Sequence, residues 1–376
     1  MNDMKGTWAE ETQKKLTHKM KKVVKRNLGK IPYNPENGRY SLDHSDEISN
    51  WTNGFWGGIL WQMYTLTGDM IYKDEARILE EKQDAIFLLA EGLDHDSGFK
   101  WLPTAVTDYK LTGARDSYNR GILAADNMAG RYNAAGKFIR AWNDRSDGTD
   151  TRGWAIIDCM MNLPLLYWAS VESRDPRYEH IARNHADTVM ETFVREDGSV
   201  NHIVEYDPFT GEKVATHGGQ GMFDGSSWTR GQAWGIYGFA LNYEFTKDKK
   251  YLDTSRKIAD YFLANIPENG HIPADFCQPK TVDYEDDTAA AIAACGLLEL
   301  AAHLDEESGK GYRDTAIQLL KVLDKEDIDW NEEHDPLLLK GTGSYDEPVH
   351  NYPIIYGDFY YILALAKLNG NAIPIW

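Results

Sequence analysis

The side chains best suited to chemistry in this sequence are two aspartates in unlike surroundings, Asp96 and Asp158. Asp158 follows Ile156-Ile157 and precedes the apolar run 159–166, which directs its carboxylate into a low-dielectric setting. Burial of that kind raises a carboxyl's pKa and suits it to carry a proton near neutral pH. Asp96 lies in Asp94-His95-Asp96-Ser97-Gly98, beside an imidazole and ahead of a glycine that permits close backbone approach. Two carboxylates facing one cavity in different environments divide into a proton carrier and an electrostatic or positioning partner. Acids at helix starts also cap free N–H groups and complement the helix dipole, and that plainer reading is preferred for Asp286, Asp287 and Asp358.

Trp51, Trp56, Trp142, Trp228 and Trp234 fall near the same helix starts, and flat rings are surfaces on which sugar faces stack. One tryptophan alone reads as core; five beside two acids point to carbohydrate. The net charge of −19 argues against nucleic acid or anionic membrane as partner, and it leaves no overall field to attract an acidic ligand. An anionic sugar would need local donors, for which Arg230 and Gln220, near His202 and His217, are the candidates. Metal is not expected. His180 and His185 are not at helical i, i+4 spacing, no cysteine pair has zinc spacing, and 94–98 lacks the later Gly and Glu of a calcium loop. No phosphate-cradling glycine loop is present, so no cofactor is expected either.

Something must carry these residues to one place. Six segments are apolar nearly all round and rich in Gly, Ala and aromatics: 54–66, 98–111, 155–170, 229–245, 286–303 and 357–368. Six others are amphipathic: 8–28, 72–93, 117–132, 178–193, 251–266 and 312–323. Between them a turn phrase followed by tyrosine recurs, at Tyr72, Tyr118, Tyr178, Tyr251 and Tyr312, roughly 45–75 residues apart. Alternation of buried and half-exposed helices predicts one all-α domain over 1–376, an (α/α)6 barrel with an inner and an outer ring. Helix 8–28 would complete the outer ring. The best hairpin candidate is 198–204 with 213–216. The stretch 143–150 reads as a solvated loop. Three cysteines without framework spacing and a charged 1–15 segment predict a reducing, cytoplasmic setting.

Four stretches carry a resemblance: Trp51-Thr52-Asn53-Gly54-Phe55-Trp56-Gly57-Gly58, Leu93-Asp94-His95-Asp96-Ser97-Gly98-Phe99, 156–166 around Asp158, and 224–235 with Trp228-Thr229-Arg230-Gly231-Gln232-Ala233-Trp234. In this order the sequence resembles the unsaturated glucuronyl hydrolases, glycoside hydrolase family 88. The resemblance implies an (α/α)6 barrel and hydrolysis without metal or organic cofactor, on di- or oligosaccharides left by polysaccharide lyases. These carry a C4=C5 double bond on the non-reducing uronate, and water is added across that enol ether. By the motif match Asp158 is the general acid/base and Asp96 the second essential carboxylate. Also by match, Trp51, His95, Trp142, His202, Gln220, Arg230 and Trp234 line the uronate subsite, with His202, Gln220 and Arg230 near its carboxylate. One departure stands out: where members acting on sulfated fragments resemble one another in a Ser/Lys-bearing stretch, this chain has Asp346 and Glu347 after Ser344, which favours unsulfated or otherwise decorated substrates. A monomer or weak homo-oligomer is expected.

Three other readings remain. An unsaturated rhamnogalacturonyl hydrolase would use the same barrel on pectin fragments. A sugar 2-epimerase would use facing histidines as bases, with His202 and His217 as candidates, and would leave Asp158 idle. A non-catalytic carbohydrate-binding protein would need the rings but not the acid.

Overall fold

A computed structural model describes residues 5–89, 92–143 and 148–376; the centre of the polar stretch 143–150, residues 90 and 91 of the segment 72–93, and the first four residues of the charged N-terminus lie outside them. The chain alternates helices of two kinds. The inner kind comprises α2 (Asn53–Thr67), α4 (Ser97–Trp101) continued by α5 (Thr107–Thr112), α7 (Leu163–Ser173), α9 (Thr229–Thr246), α11 (Asp287–Ala302) and α13 (Ile355–Leu368). The outer kind comprises α1 (Lys5–Arg26), α3 (Met70–Gln83), α6 (Arg115–Gly130), α8 (Pro176–Thr192), α10 (Lys249–Asn265) and α12 (Glu306–Glu326). Residues 287–297 of α11 and 355–366 of α13 are buried without a break, as the apolar circumference of their sequences requires. The outer helices bury one stripe each. Helix α1 closes the outer ring: Trp8 Nε1 donates to Asp324 of α12 at 2.8 Å, and Gln13 exchanges hydrogen bonds with Asn371 beyond α13. This is the expected (α/α)6 barrel.

The recurring turn phrase has a physical reading. Four of the six inner helices end on a left-handed residue: Gly68, Gly113, Arg174 and Lys247. Three of the outer helices that follow begin under an aspartate cap, Asp69 accepting from Ile71 N–H, Asp175 from Arg177 and Asp248 from Lys250, whereas α6 after Gly113 has no side-chain cap; Asp305 caps α12 in the same way, accepting from Ser308, after an inner helix that ends right-handed. Three of the tyrosines then pin each outer helix to the one before it. Tyr178 Oη donates to Asp126 at 2.6 Å, Tyr251 to Asp187 at 2.7 Å and Tyr312 to Asp260 at 2.6 Å.

Several boundaries differ from the sequence expectation, each for a local reason. The third inner segment does not start as a helix at 155. Trp154–Ile156 is a strand, β3, and Ile157–Met161 a 3-10 turn; α7 begins only at Leu163, with Pro164 in its first turn. Segment 98–111 is interrupted by a π-helical turn over Leu102–Val106, because Pro103 has no N–H to continue the ladder. The hydroxyls of Thr104 and Thr107 take the carbonyls of Lys100 and Leu102. The segment beginning at Tyr72 leaves the α-helix after Gln83 for a 3-10 turn, Asp84–Leu88. The hairpin is shorter at its start than expected: β4 (Ile203–Tyr206) pairs antiparallel with β5 (Lys213–His217), and β3 adds to the other edge of β4. A smaller pair, β1 (Tyr132–Asn133) with β2 (Phe138–Ile139), completes the described strands. Cys159 and Cys295 are buried and Cys277 exposed, all as free thiols.

Candidate active site

The two aspartates arrive from neighbouring inner segments. Asp96 immediately precedes α4, and its N–H donates to Asp94 Oδ1 at 3.0 Å. Asp94 Oδ1 also takes the Nζ of Lys100, a lysine with no exposed surface, at 3.0 Å. Asp158 sits in the 3-10 turn to which β3 leads. Asn162 joins the two segments: its Nδ2 donates to Asp96 Oδ1 at 3.2 Å and to the Asp158 carbonyl at 3.3 Å, while its Oδ1 accepts the Phe99 N–H at 2.7 Å. Gly98 makes that junction possible, since a Cβ there would stand 2.5 Å from Asn162 Cα.

The carboxylates differ in charge as well as in place. Both are buried, with 7% and 9% of Asp96 and Asp158 exposed. Burial works to raise Asp96, but the adjacent His95 charge, then Lys100 and the Asn162 amide, outweigh it and hold its carboxyl below the usual range. His95 is fully buried, with Nε2 3.3 Å from Asp96 Oδ1. Burial opposes its charge, yet Asp96 holds its pKa well above the ordinary value, so the pair is an imidazolium and a carboxylate. Asp158 goes the other way: burial first, and the Asp96 charge second, push it up to about 7. Its Oδ1 is buried without a hydrogen-bond partner and lies 3.8 Å from His202 Nε2.

His202 is neutral, its pKa brought down by burial to about 3. Its Nδ1 receives the Gln220 N–H at 3.0 Å and lies 3.2 Å from the Gly218 carbonyl. Acceptance of the amide hydrogen leaves the ring proton on Nε2, the nitrogen that faces Asp158. Its ring leans on Trp228, with centroids 4.4 Å apart.

Arg230 and Gln220 are placed as expected near this cluster but are not idle donors. Arg230 is buried, pairs with Asp286 Oδ2 at 2.5 Å, and donates to the carbonyls of Thr342 at 2.7 Å and Gly343 at 2.6 Å. Gln220 Nε2 also donates to the Gly343 carbonyl, at 2.6 Å. Both residues therefore hold the loop that follows Lys340. Asp286 keeps its capping role, accepting from Thr288 N–H at 3.2 Å, and adds a second role as the counter-ion of Arg230. Asp287 accepts the Lys340 N–H, and Asp358 accepts those of Leu337 and Leu338, so both acids tie loops as well as starting helices.

The tryptophans separate into two groups. Trp51 and Trp142 are half-buried; Trp51 packs with Tyr356 at 5.0 Å and Phe99 at 5.4 Å. Trp56 and Trp234 have almost no exposed surface, and Trp234 lies between Phe99 and Tyr360 inside the ring of helices. The first group can meet a ligand face; Trp56 belongs to the core. The two histidines considered as facing bases do not face each other. His217 pairs directly with Ile203 across β4 and β5, so residue 202, one step along, points to the opposite face. His217 instead contacts Glu205 at 2.7 Å and stacks on Trp154. Sequence reasoning missed Asn162, Lys100, Tyr356 and the counter-ion role of Asp286. The only advance signal for Asn162 was a lone amide within an apolar run.

Fold, paired carboxylates and aromatic lining define an (α/α)6-barrel glycoside hydrolase. No family model matches the chain. Individual proteins do. It is 37% identical over 345 residues to an unsaturated glucuronyl hydrolase of Bacillus sp. (strain GL1), covering 88% of this chain and 89% of that one. It is 34% identical to an unsaturated chondroitin disaccharide hydrolase of Streptococcus pyogenes serotype M1, over 87% of this chain and 83% of the other. The crystal structure of the unsaturated glucuronyl hydrolase from Bacillus sp. GL1, described as responsible for the degradation of glycosaminoglycan, superposes with a TM-score of 0.90 at 33% identity over 98% of both chains. The chain belongs to the unsaturated glucuronyl hydrolases.

Proposed function

We propose that residues 1–376 act as one catalytic domain of glycoside hydrolase family 88 that releases a 4,5-unsaturated glucuronic acid from the non-reducing end of lyase-generated, glycosaminoglycan-type oligosaccharides. The observation that carries this reading is the buried, unpartnered Oδ1 of Asp158, on a carboxyl raised to about 7 beside an ionised Asp96. A carboxyl with that pKa holds a proton for an appreciable fraction of molecules near neutrality and can both give and take one. In the reaction, protonated Asp158 delivers its proton to C4 of the enol ether while water adds at C5. The Asp158 carboxylate takes a proton from that water, which restores the acid. Water has then been added across the double bond. The resulting hemiketal opens, releasing the partner sugar and a keto uronate.

Asp96, kept ionised by His95 and Lys100, accepts hydrogen bonds from the sugar hydroxyls and keeps Asp158 protonated through its charge. Trp51 and Trp142 stack on the sugar, His202 donates from Nε2 toward the uronate, and Trp234 backs the subsite. Arg230 and Gln220 shape the uronate site by holding the 342–343 carbonyls, and Arg230 adds positive potential. Neither a metal nor an organic cofactor takes part. The exposed acids Asp346 and Glu347 favour unsulfated partner sugars. The enzyme works in the cytoplasm as a monomer or weak homo-oligomer; among the described residues no helix is long and apolar enough to cross a membrane.

The test is loss of the ultraviolet absorbance of the C4=C5 chromophore on unsaturated disaccharides from chondroitin, hyaluronan, heparin and pectin. Turnover that falls by about 10²–10⁴ in the Asp158→Asn protein is expected, the contribution of a positioned acid/base. Unchanged turnover in that variant, or none on any uronate with folded protein, overturns the proposal.

A further inference from the structure

Asp69, Asp175, Asp248, Asp286 and Asp305 each stand immediately before a helix, and each accepts one of that helix's own N–H groups. Asp96 stands in the same place before α4 and makes no such bond. The N–H within its reach, that of Phe99 three residues on, goes instead to Asn162 Oδ1 at 2.7 Å. Asn162 is therefore the cap of α4, supplied from a segment 63 positions away. Its amide has one possible orientation. A backbone N–H can only donate, so the oxygen faces Phe99. The nitrogen then faces the acceptors on the other side, Asp96 Oδ1 at 3.2 Å and the Asp158 carbonyl at 3.3 Å. The side chain is fully buried, and the turn fixes its main chain: its N–H donates to the Cys159 carbonyl at 2.9 Å and its carbonyl accepts the Leu165 N–H at 3.1 Å.

An aspartate before a helix with no competing acceptor turns its carboxylate onto the free N–H groups of the first turn, where it is spent on the helix and withdrawn from any ligand. We propose that Asn162 is a positioning residue for the reaction: it caps α4 in place of Asp96, which leaves that carboxylate to the sugar, and it fixes the two acids relative to each other by gripping Asp96 through its side chain and Asp158 through its main chain. The proposal rests on the reading of the cavity as an unsaturated-uronate site. Gly98 belongs to the same arrangement, since a Cβ there would stand 2.6 Å from Asn162 Oδ1. Around Asp158 the charged and titratable groups are Asp96 and His95 ahead of α4, His202 ahead of β4, Arg230 of α9 and Tyr360 of α13. Asp96 in turn interacts with His95, Lys100, Cys159 and Arg131. Of the groups around Asp158, Asn162 hydrogen-bonds the Asp96 carboxylate. A change at Asn162 therefore reaches the proton on Asp158 by way of the Asp96 charge.

The experiment follows chromophore loss on an unsaturated disaccharide across the pH range for wild type, Asn162→Ala and Asn162→Asp, with thermal melts to show which variants fold. Asn162→Ala leaves the Phe99 N–H open, and Asp96 turns to cap it. Its kcat should fall about 10²-fold, the loss that misplacement of a reacting group brings. The alkaline limb of its kcat/KM profile should move to lower pH by about half a unit or more, because the Asp96 charge has left Asp158. Asn162→Asp keeps an oxygen for Phe99, and of two adjoining carboxyls one holds a proton in acid, which stands in for the amide hydrogen. At pH 5.5 it should be at least about tenfold more active than Asn162→Ala, with the advantage shrinking as that proton is lost. A folded Asn162→Ala protein that loses activity with its limb unmoved shows a merely structural amide, and one within about threefold of wild type shows an amide the reaction does not need. Either result overturns the proposal, as does an Asn162→Asp protein no better than the alanine variant at pH 5.5. Should Asn162→Ala fail to fold, Asn162→Asp decides alone. Its kcat at pH 5.5 should stay within about tenfold of wild type and fall away from it as pH rises, whereas a loss of one size at every pH overturns the role. Absence of wild-type turnover on every unsaturated uronate is a different result, which overturns the proposed function and the positioning role with it.

Discussion

Replacing Asp158 by asparagine should abolish most of the activity and, at the same time, stabilise the protein in a pH-dependent way. The carboxyl rises from its ordinary 3.8 to about 7 because the folded site resists the negative charge. Between those values the unfolded chain has released this proton while the folded chain still holds it. The unfolded state therefore binds fewer protons, and the contribution of this group to stability falls as pH rises from about 4 to 7. At about 1.36 kcal/mol per pH unit the accumulated cost reaches about 4 kcal/mol at pH 8 and less than half of that at pH 5. An amide does not titrate, so the variant escapes the cost. For 376 residues with an unfolding entropy of about 2.1 cal/mol/K each, 4 kcal/mol corresponds to about 5 °C in Tm. Thermal melts of both proteins at pH 5 and pH 8 are the assay, and any fixed effect of the amide cancels between the two. The variant's Tm advantage should widen by about 3 °C from pH 5 to pH 8. An advantage that is constant, or that shrinks with pH, would refute the assignment of a neutral buried acid at this position.

Further outcomes follow from neighbouring contacts. Wild-type kcat/KM should fall on the alkaline side with an apparent pKa of about 7, because the reaction begins from protonated Asp158; a profile flat from pH 6 to 9 would argue against it. Arg230→Met leaves the buried Asp286 carboxylate unpaired and should destabilise the fold by about 3–5 kcal/mol in denaturant titrations. Gly98→Ala drives a Cβ to within 2.5 Å of Asn162 Cα, which should cost about 1–3 kcal/mol and lower kcat more than it raises KM. Incubation with EDTA should leave turnover unchanged, since both catalytic charges are carboxylates of the chain.

The helical rings were legible because each signal was local. An apolar circumference marks an inner helix, and a left-handed residue followed by an aspartate cap marks a hairpin, as at Gly68-Asp69 and Lys247-Asp248. Asp158 was legible for the same reason, through its apolar neighbours. What stayed hidden depends on partners distant in sequence. Asp286 reads as a cap and is one, but nothing near it announces Arg230, 56 positions earlier, as its counter-ion. Asn162 gains its meaning from Asp96 and Phe99, more than 60 positions away. The helix expected from 155 failed because Trp154-Ala155-Ile156 finds strand partners in 203–205, a pairing that helical periodicity cannot anticipate.

The charge arrangement also answers how a protein of net charge −19 can serve an acidic sugar. The cations near the site are buried and already paired: His95 with Asp96, Lys100 with Asp94, Arg230 with Asp286. Pairing lets them remain charged in a dry interior, where an isolated charge would be expelled or neutralised. Their potential is then fixed before any ligand arrives and needs no reorganisation during the reaction. The same arrangement separates the two aspartates. Asp96 takes the stabilisation that His95 and Lys100 offer and stays ionised, and its charge, added to burial, keeps the proton on Asp158. Loss of the His95 charge should therefore act on Asp158 through Asp96, against a smaller direct effect of opposite sign, since the His95 charge itself lowers the Asp158 carboxyl. If His95→Asn allows Asp96 to take up a proton, the repulsion on Asp158 weakens and the alkaline limb of the kcat/KM profile moves to lower pH. A loss of activity with the limb unmoved would place His95 against the substrate instead.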